Sequence, residues 1–227
     1  MKVTYLGHAA LLIELDNTKL LFDPFISGNP LAEKINIQEI KADYIFITHG
    51  HNDHVGDVET IANNTNAMLI SNFEIISWFE KKGLKGHCMN LGGKYTFDFG
   101  MVKYVTALHS SVLPDGTYGG NPGGFVIWNK RECIYIAGDT ALTEDMKLIP
   151  KTCPKLDIAV LPIGDNFTMG YEDAVIASDY LHCEKVLGYH FDTFPPITID
   201  KEKARAAFKK HKKELIIPEI GQTISLK

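Results

Sequence analysis

The sequence predicts a layered α/β fold with two β-rich halves and helices on the outside. Three observations carry that expectation. The first quarter is a series of short apolar runs separated by turn residues. Later, strand-like runs alternate with helical stretches, and the chain closes on two short strands. The 227 residues are 45% hydrophobic and 22% charged, which suits a globular chain that buries a sizeable core. We read residues 1–227 as one domain, because no linker, low-complexity tract or short repeat interrupts them.

Strands are expected over Lys2–Leu6, Ala10–Leu15 and Lys19–Phe22, with Asp16-Asn17 as a hairpin turn. Asp23-Pro24 leaves the sheet, since proline cannot donate to a ladder. Tyr44–Ile47 is a buried strand, and a helix follows from Asp57 to about Asn63. Met68–Ile70 is a short strand, and Asn72 caps a helix over Phe73–Lys81 that stops at Gly83. Strands follow at Lys94–Phe97, Met101–Leu108, Phe125–Trp128 and Cys133–Ala137. Glu144–Ile149 reads as a short helix closed by Pro150. The remainder reads as strand Asp157–Leu161, helix Tyr171–His182, strand Lys185–Tyr189, helix Lys201–Lys213, and strands Leu215–Ile217 and Thr223–Leu226.

A formal net charge of −5 gives no general attraction to nucleic acid or anionic membrane. No run approaches the length of a membrane span, and the N-terminus reads directly as a strand rather than a signal peptide. Cys88, Cys133, Cys153 and Cys183 form no CxxC pair. Reduced thiols in a cytoplasm are the simplest reading, with each cysteine a small buried hydrophobe.

The segment Thr48-His49-Gly50-His51-Asn52-Asp53-His54 carries the strongest chemical signal. Three imidazoles and a carboxylate fall within six residues, directly after a buried strand. Packing has no use for four such groups there, whereas zinc and related divalent ions take both ligand types. His109, Asp139 and His190 each stand just past an expected strand end, where α/β sheets gather their sites. Singly each is weak; with the loop they supply enough ligands for two ions.

His49-x-His51-x-Asp53-His54, followed by His109, Asp139 and His190, resembles the metallo-β-lactamase superfamily. Within it the chain is similar to the bacterial and archaeal metal-dependent hydrolases called UPF0173. The matching stretches are Tyr5–Ala9, Asp23–Pro30, Thr48–Asp57, Ala137–Thr140 and Asn166–Gly170. The resemblance implies a four-layer αβ/βα sandwich, with His49, His51 and His109 on one metal and Asp53, His54 and His190 on the other. Asp139 would bridge them. It implies hydrolysis by a metal-bound hydroxide that Asp53 orients and whose proton Asp53 carries to the leaving group. Zinc is the first expectation, with manganese, nickel or iron as alternatives. His8, which the resembled family shares, is a catalytic or substrate-facing candidate. Asp23 and Thr48 are candidates to hydrogen-bond ligand histidines. Asp165 stands where similar proteins often carry glycine before Asn166, which points to an altered pocket wall.

The substrate expected is a small-molecule ester, lactone, thioester or phosphodiester. The alternatives are a ribonuclease, or a non-hydrolytic di-iron or other metal-binding protein. The basic stretch Lys201–Lys213 reads as a solvated helix face, so nucleic acid is the less favoured partner. No membrane partner is expected, and a homo-oligomer is left open. Gly119–Gly124 precedes a strand rather than a helix, which argues against a phosphate-binding loop and for an ordinary turn, with a lip over the site as the alternative. His87, His182 and His211 lie outside the ligand pattern, and no GxSxG nucleophile motif is present.

Overall fold

A computed structural model describes residues 1–226. The backbone gathers into two compact units, one of Met1–Leu91, Ser110–Pro122 and Pro218–Lys227, the other of Gly92–His109 and Gly123–Ile217.

The first unit carries β1 (Lys2–Gly7), β2 (Ala10–Leu15), β3 (Thr18–Phe22), β4 (Tyr44–Phe46), β5 (Met68–Asn72), β6 (Gly86–Met89) and the closing strand β14 (Thr223–Ser225). They form one sheet in the order β14-β1-β2-β3-β4-β5-β6. Pairing is antiparallel from β14 to β3 and parallel from β3 to β6. The β2–β3 hairpin pairs Leu15 with Thr18, leaving Asp16-Asn17 as a two-residue turn. Asp16 has φ 54, the left-handed conformation that such a turn requires.

Helices α1 (Asn52–Val55), α2 (Val58–Thr65) and α3 (Phe73–Glu80) follow the parallel strands. The helical spacing of Val58, Ile61 and Ala62, and of Ile75, Ile76 and Phe79, puts them in one cluster with Leu21, Ile45, Ile47 and Leu69. Burying each large side chain there stabilises the unit by roughly 1.5–3 kcal/mol. The side chain of Asn72 caps α3 through the Ile75 amide.

The second unit repeats this strand plan. It holds β7 (Lys94–Phe97), β8 (Gly100–Thr106), β9 (Gly123–Trp128), β10 (Cys133–Ile136), β11 (Ile158–Pro162), β12 (Lys185–Tyr189) and β13 (Glu214–Ile216). β7 to β10 pair antiparallel and β10 to β13 parallel. β3 of the first unit and β10 of the second therefore occupy the same place in their sheets, the switch from antiparallel to parallel pairing. Helices α4 (Ile149–Thr152), α5 (Tyr171–Tyr180) and α6 (Lys201–Lys210) belong to this unit. Ala174, Ala177, Ala204 and Phe208 pack with Tyr135, Ala159, Leu161 and Val186.

Several element boundaries differ from the sequence expectation. β6 was not expected, because an edge strand with half-exposed His87 and exposed Cys88 shows no apolar run. Pro150 does not close a helix. It sits in the first turn of α4, after a 3-10 turn over Glu144–Leu148, where a missing N–H costs nothing. The basic helix stops at Lys210, and Lys212 at φ 59 turns the chain toward β13. Gly123 and Gly124 are not part of a turn but open β9. A Cβ on Gly124 would lie 2.6 Å from the Ile136 carbonyl oxygen of the neighbouring strand. Among the described residues no helix is long and apolar enough to cross a membrane.

Candidate metal centre

In the first unit the site starts at the ends of two adjacent parallel strands. Asp23 follows β3 and its amide donates to the Phe46 carbonyl (3.0 Å); Thr48 and His49 follow β4. Asp23 takes φ 39, so the chain turns sharply and its carboxylate points at Thr48. Oδ1 accepts from the Thr48 amide (2.8 Å) and Oδ2 from the Thr48 hydroxyl (2.7 Å). Oδ2 also lies 3.0 Å from Nδ1 of His54. Asp23, Thr48, His49 and His54 are each wholly shielded from solvent.

These contacts decide the tautomers. A buried carboxylate is acceptor only, so His54 carries its proton on Nδ1 and would donate its Nε2 lone pair to a metal. The Thr48 hydroxyl spends its proton on Asp23, so at 3.0 Å it accepts from Nδ1 of His49. The nitrogen that His49 would offer to a metal is again Nε2. One carboxylate thus fixes two imidazoles, directly and through a hydroxyl.

Nε2 of His49 lies 2.9 Å from Nδ1 of His51. Two nitrogens that close share a proton or a cation. The other nitrogen of His51 is 3.4 Å from the Ser110 hydroxyl. Helix α1 then brings Asp53 and His54 round in a single turn. The ligand atoms of His8, Asp53 and His54 fall within 4.8 Å of one another. His8, at φ 53 just beyond β1, holds its Nε2 3.1 Å from Oδ2 of Asp53; the His8 side chain is buried and Asp53 28% exposed. Gly50 packs closely against the segment that follows Ser110. A Cβ there would press on the backbone of Val112 at 3.2 Å, and its amide donates to Ser111 Oγ.

Asp57 holds the preceding loop. It accepts from the amides of Ile26 (2.6 Å) and Ser27 (2.8 Å) and from the Ser27 hydroxyl, while its own amide donates to the Pro24 carbonyl. Sequence reading missed this role and that of Ser110. An acid at the head of a helix reads as a cap, yet Asp57 makes no capping bond to α2.

In the second unit Asp139 follows β10 through Gly138, which takes φ 68. Its Oδ2 lies 3.0 Å from Nε2 of His190 and 3.6 Å from Nε2 of His109. His190, just past β12 at φ 56, is buried with Asp139. Thr140 accepts from the Leu108 amide (3.0 Å), tying the segment that carries His109 to the one that carries Asp139.

The structure thus gathers His8, His49, His51, Asp53 and His54 in the first unit, and His109, Asp139 and His190 in the second. His87, His182 and His211 lie elsewhere, on β6, after α5 and at the end of α6. Donor atoms within each set approach to 2.9–3.6 Å. Metal–nitrogen bonds of about 2.0–2.1 Å place neighbouring ligands roughly 2.9–3.4 Å apart, so the donor set fits a divalent ion in spacing and chemistry.

Comparison with known proteins agrees with this chemistry. Residues 2–190 match the model of the beta-lactamase superfamily domain. A UPF0173 metal-dependent hydrolase of Flavobacterium johnsoniae is 59% identical, with all of both chains covered. One from Thermus thermophilus is 48% identical over 89% of this chain and 88% of that one. Among solved structures, the metallo hydrolase Igni18 of Ignicoccus hospitalis superposes with TM-score 0.88 at 34% identity, covering 98% of this chain and 97% of that one. An isothiocyanate hydrolase from Delia radicum gut bacteria (TM-score 0.80, 20% identity, 99% and 98% covered) shares the fold. The chain has the metallo-β-lactamase fold and belongs to the beta-lactamase superfamily, within it to the UPF0173 metal-dependent hydrolases.

Proposed function

We propose that His49, His51, Asp53, His54, His109, Asp139 and His190 hold two divalent ions, zinc first among them, and that the chain hydrolyses a small-molecule ester, lactone, thioester or phosphodiester. The observation that carries this reading is the Asp23–Thr48 relay, which turns Nε2 of both His49 and His54 into lone-pair donors. The family pattern assigns His49, His51 and His109 to one ion, Asp53, His54 and His190 to the other, and Asp139 to both. When bound, the ions supply Lewis acidity, which activates water and stabilises negative charge developing on the substrate.

The chain's own residues do the rest. Asp53 orients the attacking water and takes its proton toward the leaving group. His8, 3.1 Å from Asp53 Oδ2, holds that carboxylate in place and can share the proton. Asp23, Thr48 and Asp57 keep the ligand loop in one geometry before substrate arrives.

A nuclease reading would need cations presented for phosphates. On α6, Lys203 pairs with Asp200 at 3.6 Å, and beside it Lys201 pairs with Asp192 and Lys213 with Asp179. Lys209, Lys210 and Lys212 are exposed, but a formal net charge of −5 gives the chain no general pull on phosphates, and we favour a small-molecule substrate. A cytoplasmic setting is in keeping with four free cysteines.

The test is a panel of chromogenic esters, lactones, thioesters and bis-p-nitrophenyl phosphate, assayed with zinc, manganese, nickel or iron restored after chelation. Metal-dependent turnover that falls about 10²- to 10⁴-fold in Asp53→Asn supports the reading. No turnover of any class with metal bound would contradict it.

A further inference from the structure

Within the second unit, a cleft of about 440 Å³ opens at the C-terminal ends of β11 and β12. Its floor abuts a metal ligand. The Ile163 amide donates to the Tyr189 carbonyl (3.1 Å), and a Cβ on Gly164 would meet the His190 carbonyl oxygen at 2.1 Å. Clefts at such strand ends are where α/β sheets take their ligands.

The lining divides by chemistry. Pro196 and Ile199 offer an aliphatic wall over the buried Ile163, and Asn166 and Tyr171 a polar, aromatic one. Three charges remain. Lys203 lies 3.6 Å from Asp200 Oδ2, and Oδ1 of Asp200 accepts from the amides that open α6. Those two charges answer each other. Asp165 is left as the cleft's net charge. It is presented from an unusual backbone: Asp165 and Asn166 both lie in the left-handed region, at φ 62 and 57. Oδ1 of Asp165 accepts from the Asn166 amide (2.8 Å), which holds the exposed carboxylate at the cleft without neutralising its charge.

We infer that the cleft seats a substrate whose aliphatic chain ends in a primary ammonium, held by the Asp165 carboxylate and the Tyr171 ring. This rests on the hydrolase reading of the adjoining site and adds a substrate class to it. The chain lies along Pro196 and Ile199, and the ammonium meets one carboxylate and one aromatic face.

Two measurements test it. Steady-state kinetics compares phenyl ε-aminocaproate with phenyl heptanoate, which differ in ammonium against methyl. An exposed ion pair with a ring contact predicts a kcat/KM preference of about threefold to fivefold for the amino ester, abolished in Asp165→Asn. NMR titration with n-butylammonium, against n-butanol, reads the backbone amides of residues 163–171 without any turnover. The ammonium should shift them in the wild type and not in Asp165→Asn.

If these shifts occur but neither ester is cleaved, the cleft assignment stands and the ester branch of the hydrolase reading falls. Equal kcat/KM for both esters with no ammonium-specific shifts overturns the cleft assignment and leaves the hydrolase reading intact. Equal ammonium shifts in wild type and Asp165→Asn overturn it too, as would shifts with inorganic phosphate alone.

Discussion

Oδ2 of Asp23 lies 3.0 Å from Nδ1 of His54, and the same oxygen takes the hydroxyl of Thr48 at 2.7 Å. A single buried acid, itself outside the proposed ligand set, therefore decides which nitrogen His54 and, through Thr48, His49 would present to a metal.

Asp23→Asn keeps the shape but replaces one acceptor oxygen with a donor amide. His54 or Thr48 then loses its acceptor. Metal affinity should fall about 10- to 100-fold, read by competition with a chelator. Asp23→Ala should in addition destabilise the chain by about 3 kcal/mol, read from the urea midpoint, because it strands buried donors. Wild-type affinity in both variants would refute the relay.

Thr48 separates relay from packing. Thr48→Val keeps the volume and removes the hydroxyl that receives Nδ1 of His49. Metal affinity should drop about tenfold. Thr48→Ser, which keeps the hydroxyl, should stay within about threefold of wild type. If Val and Ser variants behave alike, the hydroxyl has no role in setting the tautomer.

Much of the candidate centre was legible in the sequence because its first cluster is local. His49, His51, Asp53 and His54 are contiguous, and their chemistry has no packing use. The strand ends before His109, Asp139 and His190 were readable from apolar runs. Less could be read where meaning depends on approach in space. Ser110 is remote in sequence from His51, and the close approach of Gly50 to Val112 and Leu113 has no local signal. Asp57 looks like a helix cap and instead clamps a loop thirty residues away. Pro150 reads as a stop and proves to be a start. β6 stayed hidden because its pairing with β5 comes from backbone geometry, with no alternation of side chains to signal it.

Asp57→Ala should cost about 3 kcal/mol of stability, since it strands the amides of Ile26 and Ser27 and the Ser27 hydroxyl. Urea unfolding would show the loss as a lower midpoint with an unchanged slope. A change below about 0.5 kcal/mol would mean that the loop is held by other contacts.

Cys133 is buried, and that burial, reinforced by the neighbouring Cys153, Asp157 and Cys183, pushes its thiol up to about 12 from the usual 9.0. The folded value lies above the unfolded one. The stabilising effect is therefore complete below 9.0 and is lost as pH rises through about 12. At neutral pH a thiol reagent should label the exposed Cys88 fast and Cys133 only on unfolding. Loss of the fast phase in Cys88→Ser would confirm the assignment, and its persistence would contradict it.

Metal content per chain, measured by mass spectrometry on the purified wild type beside Asp139→Ala, bears most directly on the proposed centre. Two equivalents of a divalent ion in the wild type, with both metal and turnover gone in Asp139→Ala, is the expected result. Full metal occupancy and full activity in Asp139→Ala would contradict the proposed bridging ligand and the binuclear hydrolase with it.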